Sequence, residues 1–238
     1  MSITKEAIQY VVGLEKNVEV VEINGETYSN RNLHAVEEPT PHALTVRSLS
    51  SLVDYAKSSF DTDETIMIHI ENPTEVSLFT ALNGNCNRSK FVKAEALIPH
   101  FSFERFHDTE NFNISMQSGF VKNDDRDIVL QVIGTIADET VREIGDDGVS
   151  QAVTAKTGVS TRGNVKVPNP VTLQPYRTFV EVEQPESEFI FRMKSGPTCG
   201  LFEADGGAWK LQAIQNIKNY LVAALEEEIK LEKVFIIA

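Results

Sequence analysis

Two blocks in which apolar residues alternate with period two are separated by a block in which they recur at helical spacing. This order constrains the fold more than any other feature of the chain. In the first block, "ETIMIHIENPTEVSLFTALNGNCNRSKFVKAEAL", Ile66, Ile68 and Ile70 alternate with Met67 and His69. Asn72-Pro73 breaks the run, and further strands are predicted over 75–82 and 89–97. Strands joined by short turns pair antiparallel, here as a meander. The alternation is imperfect, which is the pattern of a sheet partly covered on both faces. The second block runs from Gly148 to Ala204 through "SQAVTAKTG", "NVKVPNPVTL", "RTFVEVEQ", "SEFIFRMK" and "TCGLFEA".

Between them, "FSFERFHDTENFNISMQSGF" reads as two short helices, the second starting at Asp108 or Thr109. "DRDIVLQVIGTIADETV" reads as a longer one, with Ile128, Val129, Val132, Ile133 and Ile136 on one stripe. Ahead of the first block stand a short amphipathic helix over 3–14, an Asn24-Gly25 hairpin in "VEVVEINGETYSN" and a helix in "SLSSLVDYAKSSF". That last helix has Ser48 or Ser50 as its cap and turns Leu49, Leu52, Val53 and Ala56 inward. "DGGAWKLQAIQNIKNYLVAALEEEIK" is the longest predicted helix, capped by Asp205, and "KVFIIA" a terminal strand. The expected fold is α+β, with antiparallel sheet segments at about 18–97 and 148–204 separated by helices. It makes one domain over 1–238, or two subdomains over 1–100 and 101–238.

The charge excludes one class of partner. Lys and Arg number 22 against 35 Asp and Glu, a net charge of −13, and a polyanion is repelled from such a surface. No binding of duplex DNA is expected. Only Cys86 and Cys199 are present, with no CxxC pair, so two reduced thiols are expected. The opening "MSITKEAIQYVVGLEKN" is too polar for a signal peptide. No apolar run approaches the roughly 20 residues that span a bilayer. A cytoplasmic protein with no membrane partner is expected.

Few residues carry a chemical motif. His100 and His107 flank Glu104, but on one helix they would lie about 10 Å apart, too far for one ion. The acids Asp61, Asp63 and Glu64, then Asp124, Asp125 and Asp127, then Asp146 and Asp147, sit where carboxylates favour turns and helix starts. "EADGGAWK" lacks the spacing and Gly-Lys-Ser/Thr ending of a phosphate loop, and there is no GxSxG. No catalytic residue, metal ligand or cofactor is assigned.

The stretch "RTFVEVEQPESEFIFRMK" is predicted as two paired strands, with Val180, Val182 and Ile190 on the covered side. Arg177 and Arg192 would then meet Glu181, Glu183 or Glu188 across the sheet. The sharper alternative makes Arg177, Arg192 and Lys194 a site for a carboxylate or phosphate ligand, which suits the guanidinium fork.

The same residues carry a resemblance. "VPNPVTLQPYRTFVEVEQPESEFIFRMK", followed by "LFEADGGAWKLQAIQNIKNYL" and preceded by "SQAVTAKTG", resembles the C-terminal half of the YfdQ-like family of bacteriophage and prophage proteins, whose function is unknown. The likeness is clearest over 148–221 and extends into the first half where "SLSSLVDYAKSSF" leads into "IMIHIENP". It implies a phage or prophage origin and an accessory role, and it brings no catalytic residues. The function expected is that of a non-enzymatic homo-oligomer, whose partners are its own copies or a host or phage protein. One alternative is a protein that sequesters a host nucleotide or other anionic small molecule. A second is a metal-dependent nuclease or hydrolase.

Overall fold

The computed structural model describes residues 4–16, 18–30, 40–84, 86–137, 143–146, 151–157, 160–166, 169–194 and 198–238. They fall into two compact units, Met1–Thr40 and Pro41–Ala238. The first unit holds helix α1 (Lys5–Lys16) and a hairpin of β1 (Val20–Ile23) and β2 (Glu26–Ser29). Asn24 at φ 56° and Gly25 at φ 82° make the left-handed two-residue turn that matches strand twist. Val21 faces Tyr28 across the hairpin, and both are exposed, as are Ile8, Val11 and Val12 of α1.

The second unit is built on two hydrophobic cores. Its elements in order are β3 (Leu44–Val46), α2 (Leu49–Ser58), β4 (Ile66–Asn72), β5 (Glu75–Thr80), β6 (Lys90–Glu95), β7 (Phe106–Asp108), α3 (Thr109–Gly119) and α4 (Asp124–Ala137). Then follow β8 (Glu143–Asp146), β9 (Gln151–Thr157), β10 (Ser160–Lys166), β11 (Val171–Leu173), β12 (Ser187–Lys194), β13 (Thr198–Glu203), α5 (Trp209–Ala224), α6 (Glu226–Lys230) and β14 (Val234–Ile237). The fold is α+β.

The first core lies under the five-stranded sheet β14-β4-β5-β6-β3. Ile68, Leu78 and Val92 stand in register across its centre and are fully buried. Helix α2 covers this face with Leu49, Leu52, Val53 and Ala56, the four residues that the spacing turns inward. The Ser48 hydroxyl caps it, accepting the Ser51 N–H at 3.1 Å. Helix α5 adds Ile217 and Leu221, and each such side chain contributes about 1.5–3 kcal/mol by leaving water. The second core joins α3 and α4 to the inner face of the sheet β11-β12-β13-β7. Strands β8, β9 and β10 form a separate three-stranded sheet.

Three expectations are corrected. The five-stranded sheet is mixed, because β14 runs parallel to β4 and β3 runs parallel to β6. Pairings between elements so distant in sequence leave no local signal. The first of the two short helices does not form: Glu104 takes φ 62°, which interrupts a helix, and Phe106–Asp108 pairs with β13 instead. "RTFVEVEQ" is no strand, and β12 pairs with β11 and β13.

Cys86 is exposed and Cys199 buried, and both are free thiols. Burial pushes the Cys199 thiol from its ordinary 9.0 up to about 12. A thiol reagent at neutral pH should therefore titrate one group in the native protein and two after denaturation. A native count of two would contradict this burial. The raised pKa makes Cys199 a source of alkaline lability: its contribution is complete below pH 9.0 and is lost as pH climbs towards about 12.

Candidate functional site: a buried arginine centre and an uncovered sheet face

After β11 the chain makes a loop over 174–186 that is held by one side chain. The Gln184 amide oxygen accepts the N–H groups of Arg177 at 2.9 Å and Thr178 at 3.2 Å. Its amide nitrogen donates to the carbonyls of Phe179 at 3.0 Å and Val182 at 3.2 Å. Both ends of a buried amide are thus satisfied, and the loop is rigid without being a strand. Phe179 and Val182 enter the first core, while Val180 is 71% exposed. Glu181 accepts the Ser50 N–H at 2.9 Å at the start of α2, and Asn216 of α5 donates to the Glu183 carbonyl at 2.8 Å. The Thr178 hydroxyl donates to the Pro73 carbonyl. The loop therefore ties the two helices and the β4–β5 turn together.

This loop turns Arg177 inward, leaving it 6% exposed. Its guanidinium carbon lies 3.9 Å from the centre of the Trp209 ring, 5.5 Å from that of Phe189 and 5.7 Å from that of Phe103. Nη1 donates to Glu203 Oε1 at 2.7 Å and Nη2 to the Ser187 hydroxyl, which itself donates to Asp205 at 2.8 Å. Burial lowers the Arg177 pKa to about 10, against the pull of Glu203 and Asp205, so the group is charged at neutral pH. Asp205 carries its own shift. Burial raises it, but the Gly207 N–H, the Ser187 hydroxyl, the Trp209 N–H and the Arg177 charge outweigh burial and hold it below the usual range. Asp205 thus caps the turn before α5, accepting Gly207 N–H at 2.9 Å and Trp209 N–H at 3.4 Å. The partner of Arg177 is Glu203, not Glu181, Glu183 or Glu188.

Arg192 and Lys194 do not join Arg177. They share one face of β12, and Phe189, Phe191 and Met193 share the other, where they enter the second core. Arg177 lies against the Phe189 ring, so the sheet separates it from the other two. Lys194 Nζ sits 3.9 Å from the centre of the Phe106 ring. Gly200, opposite Arg192, is needed here because a Cβ would meet the Arg105 carbonyl at 2.8 Å.

The buried arginine borders a crevice of about 290 Å³ between the residues after β6, the end of α3 and the start of α5. Phe101, Phe103, Tyr176 and Trp209 give it aromatic walls, and Arg177 and Glu203 supply its charged groups. Among the described residues Arg177 Nε and Trp209 Nε1 are buried donors without an acceptor, an arrangement that costs about 1–3 kcal/mol per group. Sequence reasoning singled out Arg177 but missed Gln184, Glu203 and Trp209. The one local signal was that Trp209 is the chain's only tryptophan.

The other candidates serve the fold. His107 Nε2 bonds the Ser102 carbonyl at 2.8 Å, and His100 Nε2 lies 3.3 Å from the Ser102 hydroxyl. Asp125 accepts the Thr172 N–H at 2.7 Å, joining α4 to β11, and Asp61 accepts the Tyr55 hydroxyl. Asp147 lies outside the described residues. Among the described residues no group of three His, Cys, Asp or Glu is placed to hold a metal ion, and no helix is long and apolar enough to cross a membrane.

A second feature is the outer face of the five-stranded sheet. Val234 and Ile236 of β14 point to the core, and Phe235 and Ile237 to the opposite face, in register with Met67 and His69. Phe235 is 55% exposed and Ile237 49%. Beside this apolar corner the charges are internally paired: Lys90 with Glu71 at 3.0 Å, Lys93 with Glu75 at 2.7 Å and with Glu95 at 2.8 Å, and Arg47 with Glu95 at 2.7 Å. Compared with known proteins, the chain matches no family model, no curated protein and no solved structure.

Proposed function

We propose that the chain is a non-enzymatic accessory protein that works as a homo-oligomer, the role implied by its resemblance to the phage- and prophage-borne YfdQ-like proteins. The observation that carries this reading is the parallel β14–β4 pair at an open sheet edge with Phe235 and Ile237 uncovered. Parallel pairs are ordinarily covered on both faces, and an apolar edge without Lys or Pro invites another strand.

The occupant that fits is a second copy of this chain. Two molecules of net charge −13 repel at most approaches. The outer sheet face is an exception, because its acids are matched by Lys90, Lys93 and Arg47. A copy seated there buries Phe235 and Ile237 without opposing unpaired carboxylates. Sedimentation at micromolar concentration should give a mass above one chain. Phe235→Glu should yield a monomer with an unchanged melting temperature, since Phe235 contributes nothing to the core. A wild-type monomer, or an oligomer indifferent to Phe235→Glu, would refute the proposal.

A further inference from the structure

We propose that Asn24 is a self-modification site, converting through a cyclic imide to aspartate and isoaspartate with water as the only co-reactant. The chain has two Asn-Gly pairs, Asn24-Gly25 and Asn83-Gly84. In such a pair the glycine nitrogen is unhindered, because no Cβ shields it or restricts its backbone. Hydroxide takes the glycine N–H proton, the nitrogen attacks the asparagine Cγ, and the Cγ–Nδ2 bond breaks to release ammonia. Water then opens the imide. Opening at Cγ leaves aspartate and one more negative charge. Opening at the main-chain carbonyl leaves isoaspartate, with the backbone running through the side-chain carbon.

The structure favours one pair over the other. Asn24 and Gly25 are both exposed, and a Cβ built on Gly25 meets nothing within 4 Å. Among the described residues the Gly25 N–H donates to no backbone carbonyl. The left-handed turn fixes the backbone of both residues, so the attack proceeds from the opened hairpin. Opening is cheap here: β1 and β2 form a sheet of two strands in which every residue is exposed, and such a hairpin is marginal in water. Asn83 is tied at three points instead. Its N–H donates to the Asn87 carbonyl at 2.9 Å, its carbonyl accepts the Cys86 N–H at 3.0 Å, and its side-chain oxygen accepts the Asn87 N–H at 2.8 Å. Its turn joins β5 to β6, whose Leu78 and Val92 are fully buried. For the hairpin the consequence is local. Isoaspartate adds a backbone carbon to a two-residue turn, and the pairing of Val21 with Tyr28 is lost with its register.

The test incubates the full chain in warm, mildly alkaline water enriched in heavy oxygen. Peptide mapping by mass spectrometry then reads the incorporated label at each asparagine, and chromatography separates aspartate from isoaspartate. In the native protein Asn24 should convert at least tenfold faster than Asn83. In urea, where neither turn is folded, the two rates should converge, since each pair follows a similar apolar residue (Ile23 or Leu82). Glu22 and Thr27 face each other across the hairpin, so oxidised Glu22→Cys/Thr27→Cys locks it closed. That cross-link should slow Asn24 at least tenfold and leave Asn83 unchanged, and reduction should restore the rate. Three results would overturn the proposal: native Asn83 converting as fast as Asn24, a difference that persists undiminished in urea, or an Asn24 rate indifferent to the cross-link. None of these bears on the oligomer, which is read by mass alone.

Discussion

Arg177→Ala should lower the unfolding free energy by about 1.5–3 kcal/mol, the range for losing hydrogen bonds to a charged group, since the Glu203 side chain left behind is 28% exposed and stays partly hydrated. The substitution leaves the Glu203 carboxylate without its 2.7 Å partner and takes a donor from the Ser187 hydroxyl. It also opens the space between the rings of Trp209, Phe103 and Phe189. Arg177→Lys should recover little, because an ammonium has no planar fork to bond Glu203 and Ser187 while stacking on Trp209. Adding Glu203→Gln to Arg177→Ala should recover part of the loss, since it removes the stranded charge but not the cavity. Urea denaturation of the three variants measures this. A loss below about 1 kcal/mol for Arg177→Ala would place the arginine among surface pairs, against its burial.

Phe179→Ala should cost about 3–5 kcal/mol, as expected for emptying a buried aromatic site, while Val180→Asp should change stability by no more than about 0.5 kcal/mol. An alternating strand predicts the opposite ranking, because it puts Val180 on the covered side. The structure has Phe179 1% exposed and Val180 71% exposed. The Val182 N–H bonds back to the Phe179 carbonyl at 3.3 Å, so the chain turns and both residues enter the first core. Urea midpoints of the two variants decide between the readings. A Val180→Asp protein that unfolds would restore the strand.

The helices and hairpins closed by nearby residues were legible in the sequence. Leu49, Leu52, Val53 and Ala56 face the core as their spacing requires, and Ser48 caps the helix they belong to. Asn24-Gly25 makes its turn, and β4, β5 and β6 form the predicted meander. The stretch over 101–108 was not legible. It reads as a short helix, yet Phe101 and Phe103 pack against Phe120 and Phe189, partners distant in sequence. The arginine centre was half legible: Arg177 stood out by its charge in an apolar run, but Glu203, Trp209 and Gln184 carry no local mark of meeting it.

By itself the sequence determined the α+β plan and the faces of those elements whose stabilising contacts lie within a turn or a hairpin. Tertiary structure decided which strands run parallel, that residues 174–186 fold as a loop pinned by Gln184, and that Arg177 points inward. The reason is competition for partners. A period-two pattern favours a strand only by a modest propensity, and the Pro73 carbonyl, Ser50 N–H, Glu203 and Trp209 offered the loop stronger bonds. Those partners are assembled only when the two cores have closed around them.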